Sequence, residues 1–373
     1  PLQGSINNSP FHYLSLPERI QSRPLPTVKI VDLRQELSSG NRSIFSKSLQ
    51  TALTEMKERG QQGILFIPRR GHSTFVSCRT CGYVMECPHC DVSLSYHYTH
   101  EGANKLLRCH YCNYTRIQPP QCPECDSPYL KFFGSGTQKV TQELNKLFPQ
   151  LRCIRFDSDT TRTKGAHRSL LSRFTHKEAD ILVGTQMLTK GLDIAGVTLV
   201  GVVAADGLLH RADYRAAERA FQTMMQVAGR AGRGDEPGKV IIQTYSPEHP
   251  VIEAVKNLDY HNFSASELEQ REALNYPPYG NLIALKLSGI NELEVRQSAE
   301  ILADACLNLV GSNCEILGPA PASIMRIARR YRWQILLKFL PEIRENLPNL
   351  NELRSLCPQS VSMTIDVDPI NMD

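Results

Sequence analysis

The chain has 373 residues, 41% of them hydrophobic, which is enough for two or three globular units with cores of their own and excludes a disordered chain. With 42 basic residues against 38 acidic ones the net charge is only +4, so a nucleic-acid surface has to come from local clustering and not from bulk charge. No apolar run approaches the roughly 20 residues of a membrane span and no charged-then-apolar leader opens the chain, so the expected setting is a reducing cytoplasm with no membrane partner.

Residues 1–26 are rich in Pro and Ser and read as a linker, and an opening at Pro1 in loop-like sequence is expected of a piece of a longer protein. Helical spacing follows from Ser46 to Arg59, then a short apolar run of buried-strand type from Gly63 to Pro68. Next comes a segment, 77–133, holding eight of the twelve cysteines in four Cys-x-x-Cys pairs: Cys78/Cys81, Cys87/Cys90, Cys109/Cys112 and Cys122/Cys125. A two-residue spacer lets a tight turn aim two thiolates at one ion, so the pattern predicts two structural Zn2+ sites with no position left open for substrate. A disulfide framework is disfavoured, because only Cys153, Cys306, Cys314 and Cys357 lie elsewhere. Spacing leaves nested, sequential and interleaved pairings all open. His89, His97, His100 and His110 are surplus to eight thiolates and read as surface or supporting residues.

Beyond the cysteines helices and strands alternate. The pattern predicts helix Thr137 to Phe148, strand Leu151 to Phe156, helix Gly165 to Phe174 and strand Asp180 to Gly184; strand Val197 to Ala205, helix Arg215 to Ala228 and strand Lys239 to Thr244 follow. Such alternation implies an α/β unit built on a parallel sheet covered by helices, with ligands at the carboxyl ends of the strands. Its expected extent is 1–76 plus 134–250, with the cysteine segment inserted. A composition shift near Tyr276-Pro-Pro-Tyr279 opens a last unit, 251–373. There, strand Asn281 to Leu287, helix Glu292 to Leu309, strand Glu315 to Leu317, strands around Ile324 and from Trp333 to Phe339, helix Pro341 to Leu356 and strand Ser362 to Val367 suit a small α+β domain of the split βαβ kind.

Three stretches carry chemistry. Gln226-Val-Ala-Gly-Arg230-Ala-Gly-Arg233 ends a helix with two arginines, each after a glycine, and planar forked donors suit the equatorial oxygens of a transferring phosphoryl group. A plain Gly-Arg helix terminus is the alternative. Ile181-Leu-Val-Gly-Thr185-Gln186-Met-Leu-Thr-Lys190-Gly191-Leu-Asp193 is a buried strand opening into a loop with donors for a phosphate backbone and a carboxylate for a ribose. Gly134-Ser-Gly136-Thr137-Gln-Lys139 is a glycine loop starting a helix, where a simple cap is the commoner use.

In this order the three resemble the second RecA-like lobe of a superfamily 2 helicase. With Arg69-Arg70-Gly71 before the cysteines, Asp206-Gly-Leu-Leu-His-Arg-Ala-Asp213-Tyr-Arg215-Ala-Ala-Glu218-Arg219, Leu317-Gly-Pro-Ala-Pro321, Tyr331-Arg332-Trp333-Gln-Ile-Leu-Leu and Asp366-Val-Asp-Pro369, the chain resembles the PriA family, the bacterial primosomal replication-restart helicases, over nearly its whole length. One departure is Gln138, where an acidic residue is usual.

The resemblance implies a 3′ to 5′ DNA helicase that hydrolyses ATP, recognises and remodels stalled forks and reloads the replicative helicase. It implies Arg230 and Arg233 as arginine fingers and Gln226 ordering the same cleft. Asp193 and Gly191 would lie beside the nucleotide, and Thr185, Gln186 and Lys190 on the tracking strand. It also implies nested zinc pairing: Cys78, Cys81, Cys122 and Cys125 in one site, Cys87, Cys90, Cys109 and Cys112 in the other. Expected partners are single-stranded and forked DNA, single-stranded DNA-binding protein and primosome or helicase-loading proteins, met as a monomer near the nucleoid. The basic run Arg326, Arg329, Arg330, Arg332 with Tyr331 and Trp333 between suits a strand path, or an arginine hairpin packed on a neighbouring domain. No G-x-x-x-x-G-K-[ST] and no Walker B acid pair occur, so ATP and Mg2+ are expected only with a first lobe outside this chain, without which it is inactive. The competing class is a non-enzymatic zinc-ribbon scaffold that binds nucleic acid or protein.

Overall fold

A computed structural model describes residues 19, 22–68, 76–89, 93–97, 106–109, 112–132, 136–157, 160–189, 193–210, 213–310, 314–340 and 349–370. Six strands form one wholly parallel sheet: β1 (Thr27–Asp32), β2 (Gln62–Phe66), then, after the cysteine segment, β8 (Cys153–Phe156), β9 (Ile181–Gly184), β10 (Val197–Val202) and β11 (Lys239–Thr244), in spatial order β1-β11-β10-β2-β9-β8. β2, β9 and β10 lie inside the sheet and are buried at every position, which is why they read as unbroken apolar runs. β1, at the edge, alternates exposed and partly buried residues, and its lysine and aspartate hid it from the sequence reading.

Helices cover both faces. On one side α2 (Lys47–Glu58) and α3 (Thr137–Leu147), with a single-turn-plus α1 (Leu33–Ser38) at the end of β1, pack Phe45, Leu49, Leu53, Val140 and Leu144 onto the sheet. On the other, α4 (Ala166–Thr175), α5 (Asp206–Leu209), α6 (Ala216–Ala228), α7 (Pro250–Asn257) and α8 (Tyr260–Ala273) bury Phe174, Leu208, Phe221, Met224, Ile252 and Phe263 against it. Each fully buried leucine or phenylalanine stabilises by about 1.5–3 kcal/mol. Asp180 ties β9 to both flanks, accepting from Lys57 Nζ at 2.8 Å and from the backbone N of Arg152 at 3.0 Å. Burial pushes its carboxyl up, but the hydrogen bonds from Arg152 and Lys57 outweigh this and hold it well below the usual carboxylate range. A depressed folded pKa stabilises above the unfolded value, near 3.9, and that stability is lost as pH falls. Asp180→Asn should therefore lower the melting temperature at neutral pH and flatten its fall below about pH 4, which melting curves across pH check.

The C-terminal sheet is separate and antiparallel: β12 (Asn281–Gly289), β13 (Cys314–Ile327), β14 (Arg330–Phe339) and β15 (Ser362–Val367), in order β13-β14-β12-β15, with α9 (Glu292–Val310) crossing over from β12. β12 and β13 run parallel with β14 between them, which is the split βαβ arrangement. One expectation is corrected: Ile324 lies in no strand of its own, because β13 runs on through two register shifts as far as Ile327. Of the helix expected over Pro341 to Leu356, 341–348 lie outside the described residues, and Leu350–Leu356 is a 3-10 helix.

Between β2 and α3 the cysteine segment contributes short strands only: β3 (Val76–Cys78) pairs with β7 (Leu130–Phe132), and β4 (Ser95–His97), β5 (Leu106–Arg108) and β6 (Thr115–Ile117) make a three-stranded sheet. Val76, Met85, Leu94 and Leu107 form a core that continues into Tyr276 and into Leu282, Ala284 and Leu336 of the C-terminal sheet. The opposite face of that sheet, with Ile283, Leu285 and Ile335, packs on Val295, Ala299 and Leu302 of α9. The cysteine segment thus covers the face that α9 leaves bare. Among the described residues no helix is long and apolar enough to cross a membrane.

Candidate functional site

The cysteines are aimed by three copies of one turn. Cys78, Cys109 and Cys122 each accept at the carbonyl from the backbone N–H four residues on, at 3.0, 3.1 and 2.9 Å, and each donates its own N–H to the carbonyl five residues on, at 2.8 Å. The residue after the second cysteine closes each turn with positive φ: Gly82 at 85°, Asn113 at 64° and Asp126 at 54°. Glycine, asparagine and aspartate tolerate that conformation best, so the turn was legible in the residues that follow the cysteines. At Gly82 there is a second reason, since a Cβ there would stand 2.4 Å from the Tyr245 carbonyl oxygen.

The Sγ atoms of Cys78, Cys81, Cys122 and Cys125 lie within 4.8 Å of one another, and so do those of Cys87, Cys109 and Cys112; Cys90 lies outside the described residues. Both groupings follow the nested pairing. Sulfur separations of 3.7 Å for Cys78–Cys125, 3.7 Å for Cys81–Cys122 and 3.5 Å for Cys87–Cys112 fit the edge of a tetrahedron, about 3.8 Å, around a metal with bonds of about 2.3 Å. Burial pushes the Cys81, Cys87 and Cys122 thiols up, whereas at Cys78 burial is outweighed by hydrogen bonds from the Cys81 and Thr80 backbone, which bring it down to about 7. The outer cluster thus favours one thiolate, and a full set needs a cation among them. The two clusters can each hold a metal ion. His89 packs its ring edge-on against Tyr114, while His100 and His110 lie outside the described residues.

The outer cluster is bolted to the parallel sheet. Arg34, held by Asp32 through Nη2 at 2.7 Å and paired with Glu248, donates from Nη1 to the Cys81 carbonyl at 3.1 Å, and Arg79 lies 4.7 Å over the Tyr245 ring. On the inner cluster's side Ser93 Oγ donates to the His210 carbonyl at 3.1 Å, just after α5. Asp206, at the start of α5, is fully buried and accepts from Thr244 Oγ1 at 3.0 Å and Tyr245 N at 3.0 Å, which fixes that helix to the end of β11. In the sequence Asp206 stands without a task of its own, and Arg34 and Arg79 carry no local signal because Cys81 and Tyr245, which they reach, are remote in the chain.

The arginine motif and the loop after β9 meet. Gln226 is exposed on the last turn of α6, and Arg230 and Arg233 follow on the turn beyond it. Arg230 donates to the Thr189 carbonyl, and Arg233 Nη1 lies 3.0 Å from Asp193 Oδ1 while its Nε donates to the Gly229 carbonyl at 3.0 Å. The turn is tight: Gly232 has φ 69°, and a Cβ there would stand 2.6 Å from Gly238 N. Burial, then the neighbouring Arg233, pushes the Arg230 guanidinium down from its ordinary value. Thr185 and Gln186 are half-buried where β9 ends, and Lys190 and Gly191 lie outside the described residues. Chemically the arrangement offers two forked cations beside one exposed carboxylate, a place for an anion. It lies at the amino end of β10 and β11, where Gly232 N donates to the Val197 carbonyl and the turn runs into Lys239, and not at the carboxyl end that the alternation of strands and helices led one to expect.

The other predicted residues sit apart. Thr137 is buried and donates to Asp157, whose carboxyl is raised by burial but brought to about 2 by hydrogen bonds from Thr137, Arg155 and Thr160; Gly134 lies outside the described residues. Arg330 bonds the Ser288 carbonyl at 2.8 Å and Ser362 Oγ at 3.0 Å, tying β14 to β12 and, across it, to β15, whereas Arg326 and Arg329 are exposed and Arg326 lies 4.9 Å over Tyr331. Arg332 is half-buried, opposite Ser288 on β12. Arg69 and Arg70 lie outside the described residues.

Known families match three successive parts of the chain: the PriA DNA helicase Cys-rich region domain at 87–116, the helicase conserved C-terminal domain at 131–235 and the primosomal protein N C-terminal domain at 272–370. The chain is 66% identical over 367 residues to the replication restart protein PriA of Synechocystis sp., covering 98% of this chain and 44% of that one. It is 45% identical over 366 residues to its counterpart in Bacillus subtilis, covering 97% and 45%. Against the counterpart in Treponema pallidum it is 36% identical over 374 residues, covering 100% and 54%. The chain thus spans about half the length of the relatives it matches.

Proposed function

The chain belongs to the PriA family of replication restart proteins, and from that premise we propose that it supplies the second motor lobe, the zinc-binding segment and the C-terminal domain of an ATP-dependent 3′ to 5′ DNA helicase that remodels stalled forks. The observation that carries the reading is the meeting of Arg230, Arg233 and Asp193 at the amino end of β10 and β11, on the loop that starts with Thr185 at the end of β9. In this reading Arg230 and Arg233 neutralise charge on a γ-phosphoryl group that a first lobe, outside this chain, holds with Mg2+. Asp193 pairs with Arg233 until the nucleotide arrives, and Gln226 borders the same cleft. Thr185, Gln186 and Lys190 contact phosphates of the tracking strand, so that nucleotide and strand meet on one short loop. Each cysteine cluster holds one Zn2+, Cys90 completing the inner one, and the metal supplies a structural cross-link with no open position for chemistry. The domain extents are 1–76 with 134–250, 77–133 and 251–373, except that α7 and α8 pack on the parallel sheet and move the last boundary to the stretch between Ala273 and Asn281. Partners are single-stranded and forked DNA, single-stranded DNA-binding protein and helicase-loading proteins, met near the nucleoid by a monomer.

In this reading the strand path shifts along the hairpin. Arg330 is occupied with Ser288 and Ser362, so the exposed Arg326 and Arg329, with the half-buried Arg332, are the cations of this run left for phosphate, and Arg326 already covers one face of Tyr331. The chain should bind single-stranded DNA weakly, without sequence preference, and less as salt rises. Thr185→Ala combined with Arg329→Ala should weaken binding roughly tenfold, while Arg330→Ala should chiefly lower the melting temperature. Fluorescence anisotropy across a salt series checks this. Affinity indifferent to salt, or unchanged in the double variant, would count against the path.

A further inference from the structure

Two further arginines reach the motif turn from a part of the chain that no motif touches. Arg19 donates from Nη2 to the Gly229 carbonyl at 3.2 Å, and from Nη1 to the Gly232 carbonyl at 3.4 Å and the Pro24 carbonyl at 2.9 Å. Arg23 donates to the Arg233 carbonyl and pairs with Asp235 at 3.7 Å. Carbonyls past the end of a helix have no partners within it, and they carry the negative end of its dipole. The two guanidiniums satisfy them and, in doing so, clamp the turn on both sides of Arg230.

The charge balance is lopsided. Four guanidiniums (Arg19, Arg23, Arg230 and Arg233) share one turn, and the carboxylates paired with them, Asp193 and Asp235, have side chains 82% and 102% exposed. Burial, then Arg233 and Arg23, pushes the Arg19 guanidinium down, the direction expected of crowded cations. Solvated carboxylates at the rim compensate such a cluster weakly, and an anion with several charged oxygens compensates it well.

We propose that Arg19 and Arg23 complete, with Arg230 and Arg233, a four-guanidinium site for a polyphosphate, in which Arg19 is the positioning residue that sets the spacing of the arginine pair. The site rests on the nucleotide reading of that pair and adds residues to it from before β1. Its ligand class is an extended polyphosphate chain, since the cations are spread over the span from Gly229 to Asp235 and not gathered on one oxygen cluster.

The probe is inorganic tripolyphosphate, titrated into the 373-residue chain by calorimetry at low and physiological salt, with zinc content and melting temperature followed in each variant. Wild type should bind in a salt-dependent way. Arg19→Ala should bind roughly tenfold more weakly, as loss of one charge-assisted clamp implies. Arg23→Ala should also weaken binding. Arg19→Lys should stay close to Arg19→Ala, because a point charge cannot span the Gly229 and Gly232 carbonyls. Should Arg19→Ala fail to fold, Arg19→Lys and Arg23→Ala carry the test. No binding by wild type, or wild-type affinity in both Arg19→Ala and Arg23→Ala, would overturn the site, and full rescue by lysine would overturn the positioning role. If Arg233→Ala alone loses the ligand, the arginine pair keeps its reading and this extension of it fails. Loss in Arg19→Ala with none in Arg233→Ala would overturn both.

Discussion

Stripping metal from the chain is expected to unfold 77–133 and to bare one face of the C-terminal sheet, while the parallel sheet stays folded. Structural zinc contributes about 10–16 kcal/mol to small thiolate sites, far more than the few short strands of the segment can supply. Its apolar core is small, and four of the buried residues in that core are themselves cysteines: Cys78, Cys87, Cys109 and Cys122. Without metal these become buried thiols with no cross-link, and Leu282, Ala284 and Leu336 lose their cover. The parallel sheet has cores on both faces that need nothing from the cysteines. Metal analysis should find two zinc ions per chain, and Cys78→Ser should remove one. Hydrogen exchange after chelation should show protection lost in β3 and β7 and kept in β2, β9 and β10. About one zinc or none, or simultaneous loss in both sheets, would refute this division.

Arg233→Ala is expected to reduce DNA-stimulated ATP hydrolysis by about 10³ or more in a protein that joins this chain to a nucleotide-holding lobe. Arginine fingers act when they close on a γ-phosphate held elsewhere, and Arg233 stands on a turn beyond α6, pointing at Asp193 on the next loop. The ion pair with Asp193 is exposed and contributes little to stability, so breaking it should leave fold, zinc content and fork binding nearly unchanged. Arg233→Lys should recover little, since an ammonium offers no planar fork.

Much of the parallel sheet was legible because interior strands of such a sheet are buried on both faces, and Ile181–Gly184 or Val197–Val202 can be little else. β1 was not, since its outer positions are solvated and carry polar residues. The cysteines announced metal, and the Gly82, Asn113 and Asp126 turns were there to be read. What covers the C-terminal sheet was hidden, because Leu94 and Leu336 meet across most of the chain and no local pattern encodes that contact. Arg330 shows the converse limit: a run of arginines carries the same letters whether a guanidinium faces solvent or, as here, stitches β14 to Ser288 and Ser362.

The most direct measurement is the DNA-stimulated rate of ATP hydrolysis by the longer protein, wild type against Arg233→Ala, with zinc content and fork binding recorded on the same samples. The expected result is hydrolysis and unwinding lost in the variant, with metal and binding intact. Hydrolysis by Arg233→Ala at the wild-type rate would contradict the reading of this turn as part of a motor and would favour a zinc-ribbon scaffold that binds nucleic acid without catalysis.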